Sequence, residues 1–312
     1  MPAERSHVAI VAIADVPVRV RSNSASVTQM ATHRFPELDA TVRHEADLDV
    51  RVVSAPLVGA PDRLAWEIRD GRELHLALPN LRVVIDLDRA SGTMHLVDST
   101  LAEGSEAWRV IEGMLFSVIN RRDRHPLHAA TLRAGDRSLV LHGPSGVGKS
   151  TLMWEAHRAG MEVLSDDATR VQLSPELRVW GDGAPPRILL LDDVRDRYAE
   201  LRGLPAQAMG ADNEPKVIVR LNPDSDWMPY GRNPRVVLLS RSGAERLAVI
   251  RATSEEIFSA LMSAEEAEMD LSPGNRERAF RALSEPGGYR MDLSMRATDA
   301  IPALRELLEP RS

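Results

Sequence analysis

Residues 139–152 read LVLHGPSGVGKSTL, and the stretch from Gly143 to Ser150 fits the pattern G-x-x-x-x-G-K-[ST]. The glycines of such a loop let backbone N–H groups turn inward around phosphate oxygens. The helix that follows brings the positive end of its dipole, roughly half a charge, to the same place. The pattern also dictates its surroundings, because it works only between an apolar strand and a helix. Ser138–His142 reads as that strand, and KSTLMWEAHRAG reads as that helix, with Gly160 placed for a left-handed cap. This stretch therefore commits the chain to an α/β architecture around a phosphate cradle.

The candidate nucleotide contacts are Gly143, Pro144, Ser145, Gly146, Val147, Gly148, Lys149, Ser150 and Thr151. Lys149 is expected to bridge the β- and γ-phosphates of ATP, and the Ser150 hydroxyl to bind Mg²⁺. Only two of the 39 basic residues are lysine, Lys149 and Lys216, the rest being arginine. A compact, flexible ammonium slides along phosphate oxygens in a way that a planar guanidinium does not. The lysine-poor chain has one where that geometry asks for it.

The 312 residues are enough for two domains, with boundaries expected at 1–120 and 121–312. The first part reads as β-rich: HVAIVAI, VPVRVRS, DLDVRVV, LAWEI, ELHLAL and LRVVIDLD are short segments, several of them alternating. VVIDLDRASGTMHLVD reads as a hairpin closing through Ala90-Ser91-Gly92. From Gly104 to Arg122 the spacing turns helical, with Trp108, Ile111, Leu115, Val118 and Ile119 on one face. His7, His33, His44, His75 and His95 are scattered singly, without the spacing of metal ligands. In the second part, PLHAATLRAG and RSLVLHG form a strand pair turning at Gly135-Asp136. MEVLSDD, RILLLDD, KVIVRL and RVVLLS are further strand candidates. Thr253 and Glu256 have the spacing of a capping box at the head of a helix over 252–269. The loop DSDWMPYGRNP has the composition of a lid or an acceptor-binding loop.

A phosphate cradle alone does not name a reaction, which depends on where the acidic partners lie. Two pairs compete. Asp192-Asp193, closing RILLLDD, has the form of a Walker B strand and would make the protein a P-loop ATPase or a nucleotide-gated regulator. Asp166-Asp167, closing MEVLSDD, comes on the strand right after the P-loop helix, whose C-terminal end would lie beside the phosphates as parallel strands place those ends on one edge.

Residues 126–171, PLHAATLRAGDRSLVLHGPSGVGKSTLMWEAHRAGMEVLSDDATRV, resemble the nucleotide-binding segment of the HPr serine kinase/phosphorylase family. They are closer still to the HPr-kinase-related proteins of peptide-modification clusters, including the lasso-peptide kinases. His128, Gly143 to Ser150, Gly160 and Asp166-Asp167 match that pattern in order. The resemblance implies an HPr-kinase/phosphoenolpyruvate-carboxykinase-like P-loop domain and phosphoryl transfer to a serine hydroxyl. It also implies that one of Asp166 and Asp167 binds Mg²⁺ while the other acts as base, with His128 at the γ-phosphate or the acceptor. The family's glycine-rich signature after the Asp pair has no counterpart in VWGDGAPPRILLLDD, so the reverse phosphorylase activity is not expected. Arg187 and Lys216, each at the start of a predicted strand, are further candidates for neutralising phosphoryl or acceptor charge.

The sequence thus predicts an ATP- and Mg²⁺-dependent kinase for a peptide or small-protein acceptor, a lasso-type peptide among them. The alternatives are the ATPase built on Asp192-Asp193 and a non-catalytic nucleotide-binding scaffold. The lack of cysteine excludes disulfides, thiol catalysis and thiolate zinc sites. A net charge of -7 argues against a broad nucleic-acid surface. No apolar run approaches a membrane span, and the opening MPAERSHVAI lacks the features of a secretion signal. A cytoplasmic protein that contacts no membrane is expected, and homo-oligomerisation fits the resemblance.

Overall fold

A computed structural model describes residues 6–55, 57–59, 61, 65–97, 106–209, 214–222, 228–243, 246–263, 271–294 and 296–309. The chain divides into two compact units, Met1–Arg122 and Asp123–Ser312. Among the described residues no helix is long and apolar enough to cross a membrane.

The first unit contains β1 (His7–Ile13), β2 (Val16–Ser22), α1 (Ala25–Arg34), β3 (Ala46–Val53), β4 (Ala65–Arg69), β5 (Glu73–Leu78), β6 (Leu81–Asp86), β7 (Ser91–Val97) and α2 (Glu106–Val118). Its strands form one sheet in the order β1-β2-β3-β7-β6-β5-β4. Alternation sets the two faces: in VPVRVRS the valines 16, 18 and 20 are buried, while Pro17, Arg19 and Arg21 face the other way. Arg19 and Arg21 pair across the strand boundary with Asp47 and Asp49.

The sequence reading places no helix before residue 104, and α1 corrects it. Val27, Thr28 and Thr32 are β-branched and give the segment little helical signal. The topology requires a crossover there, because β2 and β3 pair in parallel and cannot be joined by a tight turn. Burial of Val27, Met30 and Ala31 then holds the helix, and Arg34 Nε meets Glu112 Oε1 of α2 at 2.6 Å in a buried ion pair. The β6–β7 reversal also falls earlier than expected, over Leu87–Ala90. There Ala90 takes φ +53° and Asp86 accepts the N–H groups of Asp88 and Arg89, so Ser91 and Gly92 already lie in β7.

The second unit runs β8 (His125–Ala134), β9 (Arg137–His142), α3 (Lys149–Arg158), β10 (Glu162–Ser165), β11 (Ala168–Gln172), β12 (Arg178–Trp180), β13 (Arg187–Leu191), α4 (Asp192–Arg195), β14 (Ala206–Met209), β15 (Glu214–Arg220), β16 (Tyr230–Gly231), β17 (Pro234–Ser240), β18 (Ala248–Ala252), α5 (Ser254–Met262), α6 (Pro273–Ser284), β19 (Gly288–Asp292) and α7 (Ile301–Leu308). The main sheet has the order β16-β12-β11-β8-β9-β17-β19-β18, with β10 also on β8. β9 lies in its middle, antiparallel to β8 and parallel to β17.

Helices cover both faces of this sheet. Leu139 and Leu141 of β9 point into a core with Leu152, Met153 and Ala156 of α3, Ile188 and Leu190 of β13, and Leu304 of α7. Val140 points the other way, into a core with Ile257 and Leu261 of α5 and Phe280 and Leu283 of α6. A strand buried on both faces reads as a continuous apolar run, which is why SLVLH shows no alternation.

Two expectations change here. β13, β15 and β14 form a separate three-stranded antiparallel sheet, so RILLLDD does not neighbour the P-loop strand. Asp192 and Asp193 stand beyond the end of β13, opening the one-turn α4, and pair with Arg195 and, just past the helix, Arg197. The helix expected over 252–269 is described as α5, which ends at Met262. Its capping box between Thr253 and Glu256 is present. Residues 264–270 lie outside the described residues, as do 223–227 of the loop DSDWMPYGRNP.

Candidate functional site

The phosphate-binding loop leaves β9 at Gly143, and the chain has no room there for a side chain. A Cβ on Gly143 would stand 2.8 Å from the Leu239 carbonyl oxygen of β17. Gly146 and Gly148 take φ of +76° and +108°, a region costly for any other residue. α3 begins directly at Lys149, so its unpaired N–H groups face the loop. The Lys149 side chain is 6% exposed and curls over the loop, its Nζ donating to the Gly143 carbonyl at 2.8 Å and the Pro144 carbonyl at 3.2 Å. Burial lowers its pKa, while the charges of Asp167 and Asp166 pull it back up.

Those two carboxylates reach the loop across an intervening strand. Asp166 and Asp167 follow directly on the end of β10 and precede β11. β10 and β11 run in line along β8, antiparallel to it, and the pair interrupts them. β8 is antiparallel to β9 as well, so MEVLS runs in the direction of the P-loop strand, with β8 between them. His142 pairs with Ala129, whose N–H donates to the Asp167 carbonyl at 3.0 Å. The Asp pair therefore stands level with the end of β9 and two strand spacings away, about 10 Å.

The two aspartates occupy different environments. Asp166 is 1% exposed; its Oδ2 accepts the Leu189 N–H of β13 at 2.8 Å, and its Oδ1 is buried with no hydrogen-bond partner among the described residues. Burial, then the charges of Asp167 and Asp182, push its pKa up to about 7 against the pull of the Leu189 N–H and the Ser150 hydroxyl. Asp167 is half-exposed, and its Oδ1 lies 3.3 Å from His128 Nδ1. Burial lowers the His128 pKa; Asp167 opposes this, and Lys149 and Lys216 add to it. The imidazole is thus biased toward its neutral form. His142 Nδ1–H donates to the His128 carbonyl at 3.1 Å, tying the end of β9 to the strand that carries His128.

The small sheet closes the site from another side. β13 supplies the Leu189 N–H, and the register sets Lys216 of β15 opposite Leu191, close enough for its charge to act on His128. Arg187 is placed differently: its Nε lies 3.5 Å from Asp182 Oδ2, both side chains being about nine-tenths buried. The structure brings Lys149, Ser150, Asp166, Asp167, His128 and Lys216 together. Arg187 is directed to Asp182, whose charge acts on Asp166.

Arg241, directly after β17, also reaches the loop. Its Nε donates to the Val147 carbonyl at 3.2 Å and its Nη1 to the Ser294 carbonyl at 3.1 Å. Only the parallel pairing of β17 with β9 brings it to the loop, and nothing in the one-dimensional pattern separates it from the other arginines.

A family model described as an AAA domain matches residues 139–280, somewhat under half of the chain. No curated protein matches. Among solved structures, the Hpr(Ser) kinase/phosphatase from Coxiella burnetii is similar at 12% identity, covering 59% of this chain and 93% of that one, with a TM-score of 0.30.

Proposed function

We propose that the second unit is an ATP-dependent phosphotransferase of the HPr-kinase-like kind, moving the terminal phosphoryl group to a serine hydroxyl of a peptide or small protein, such as a lasso-type peptide. The observation that carries this reading is the meeting of Lys149, Ser150, the Asp166-Asp167 pair and His128 at one edge of the sheet. The resemblance of residues 126–171 to the HPr kinase family supports it.

Mg²⁺ suits this donor set. The buried Oδ1 of Asp166, unpartnered among the described residues, and the Ser150 hydroxyl that acts on the same carboxyl are the oxygen donors a hard cation takes alongside nucleotide phosphates. Such an ion would neutralise charge on the phosphates.

Asp167 is the base in this reading, because it is the half-exposed member that an acceptor can approach. As the acceptor oxygen bonds to the γ-phosphorus and the bond to the β,γ-bridging oxygen breaks, the hydroxyl proton passes to the Asp167 carboxylate and on to solvent. His128, its Nδ1 3.3 Å from Asp167 Oδ1, holds that carboxylate in place. Lys149 follows the charge that builds on the leaving ADP, and positioning supplies most of the rate. The ATPase built on Asp192-Asp193 lacks such support, since both side chains are paired with nearby arginines, Arg195 and Arg197.

Incubation with ATP, Mg²⁺ and the peptides encoded beside the gene, followed by mass spectrometry, should show an added phosphate. Asp167→Asn should abolish the addition while nucleotide still binds. Phosphate release from ATP with no acceptor modified, and undiminished in Asp167→Asn, would sink the transferase reading.

A further inference from the structure

We propose that Arg241 is a positioning residue for the phosphate-binding loop, holding the Val147 carbonyl on its outer side and so aiming the Gly148 N–H inward. The inference rests on the reading that this loop binds a nucleotide. The peptide unit is planar, and its C=O and N–H point in opposite directions. Fixing the Val147 oxygen therefore fixes the direction of the Gly148 hydrogen.

The guanidinium is itself held in place. Nε takes Val147 O at 3.2 Å and Nη1 takes Ser294 O at 3.1 Å; Ser294 is 2% exposed and its Oγ donates to Asp299 at 2.6 Å. Its third nitrogen lies flat against the loop, where a Cβ on Gly148 would come within 2.9 Å of Nη2. Gly148 is thus required twice over, by its φ of +108° and by the arginine covering it. The sheet delivers Arg241 to this spot, because β17 ends at Ser240 and pairs in parallel with β9, Leu238 opposite His142. Lysine would replace it poorly, since its ammonium donates from a single point, whereas the guanidinium reaches the Val147 and Ser294 carbonyls from separate nitrogens of a rigid fork.

Titration with Mg²⁺-ADP tests the inference, with Arg241→Ala and Arg241→Lys beside the unaltered chain. A hydrogen bond from a charged donor has a net worth that predicts an affinity loss of about tenfold or more in both variants. Millimolar methylguanidinium should restore much of the loss in Arg241→Ala but not in Arg241→Lys, a rescue that a general loosening of the fold would not allow. If Arg241→Ala fails to fold, Arg241→Lys keeps the charge and most of the volume and carries the test. Affinities unchanged in both variants, or a loss in Arg241→Ala that methylguanidinium leaves untouched, would overturn the proposal. An unaltered chain that binds no ADP overturns it together with the transferase reading. Tight ADP binding without phosphoryl transfer to any acceptor counts against the transferase reading alone.

Discussion

Asp166 should make the nucleotide-free protein less stable as the pH rises toward neutrality. Its carboxyl is fully buried, Oδ1 has no partner among the described residues, and its pKa stands at about 7 against an ordinary 3.8. Between those values the folded chain holds a proton that the unfolded chain has released. Stability therefore falls with rising pH, by about 1.4 kcal/mol per unit, and levels off above pH 7. The whole interval amounts to about 4 kcal/mol, of which about 3 lies between pH 5 and pH 8. Asp166→Asn keeps the shape and never ionises, so it should escape this loss.

Urea unfolding in EDTA at pH 5 and pH 8 measures the effect. With a slope of about 2 kcal/mol per molar urea, the midpoint of Asp166→Asn should gain about 1.5 M on that of the unaltered chain between the two pH values. The histidines lowered by burial, His128, His142 and His157, titrate in both proteins and largely cancel in that difference. A midpoint difference that stays constant from pH 5 to pH 8 would refute the reasoning. The same proton competes with a cation for Asp166, so Mg²⁺-nucleotide affinity should move the opposite way, rising with pH up to about 7.

Gly143→Ala should cost about 1–3 kcal/mol and weaken ADP binding, because its Cβ meets the backbone of β17 and can be accommodated only by moving the loop away from that strand; unfolding and nucleotide titration together check it. Thr253→Ala removes the side chain that accepts the Glu256 N–H and should lower stability by about 1 kcal/mol, read by urea unfolding, with nucleotide affinity unchanged. In the first unit, Arg34→Met alone should destabilise by about 3–5 kcal/mol, because it removes the cation paired with the buried Glu112 carboxylate. Arg34→Met with Glu112→Leu should recover most of that loss in thermal unfolding.

The parts of the site that were legible in the sequence are those whose chemistry is written in consecutive residues. The P-loop, its strand and its helix follow from local spacing, and the cap at Gly160 from one left-handed glycine. α1 was hidden because it exists to cross between two parallel strands, a demand that arises only once the sheet is assembled. Asp192-Asp193 looked like a metal-binding strand end because a strand next to β9 and a strand in a second sheet carry the same apolar pattern; only the pairing tells them apart. Arg241 and the Leu189 N–H are further cases of this kind, one brought in by a parallel neighbour and the other by backbone alone.

The Asp pair shows how the expected geometry can hold with a strand in between. Edge logic for parallel strands puts the acids beside the phosphates, and β8 stands between the two strands. Two antiparallel pairings in succession restore the direction, so the acids still arrive level with the loop. The intervening strand is also what carries His128, which lies between the loop lysine and Asp167 and is acted on by both. Were β10 directly beside β9, no strand would stand there to carry an imidazole to Asp167. His128→Asn should therefore lower the rate of phosphoryl transfer more than it lowers ADP affinity. Equal losses in the two measurements would place His128 among the nucleotide contacts instead.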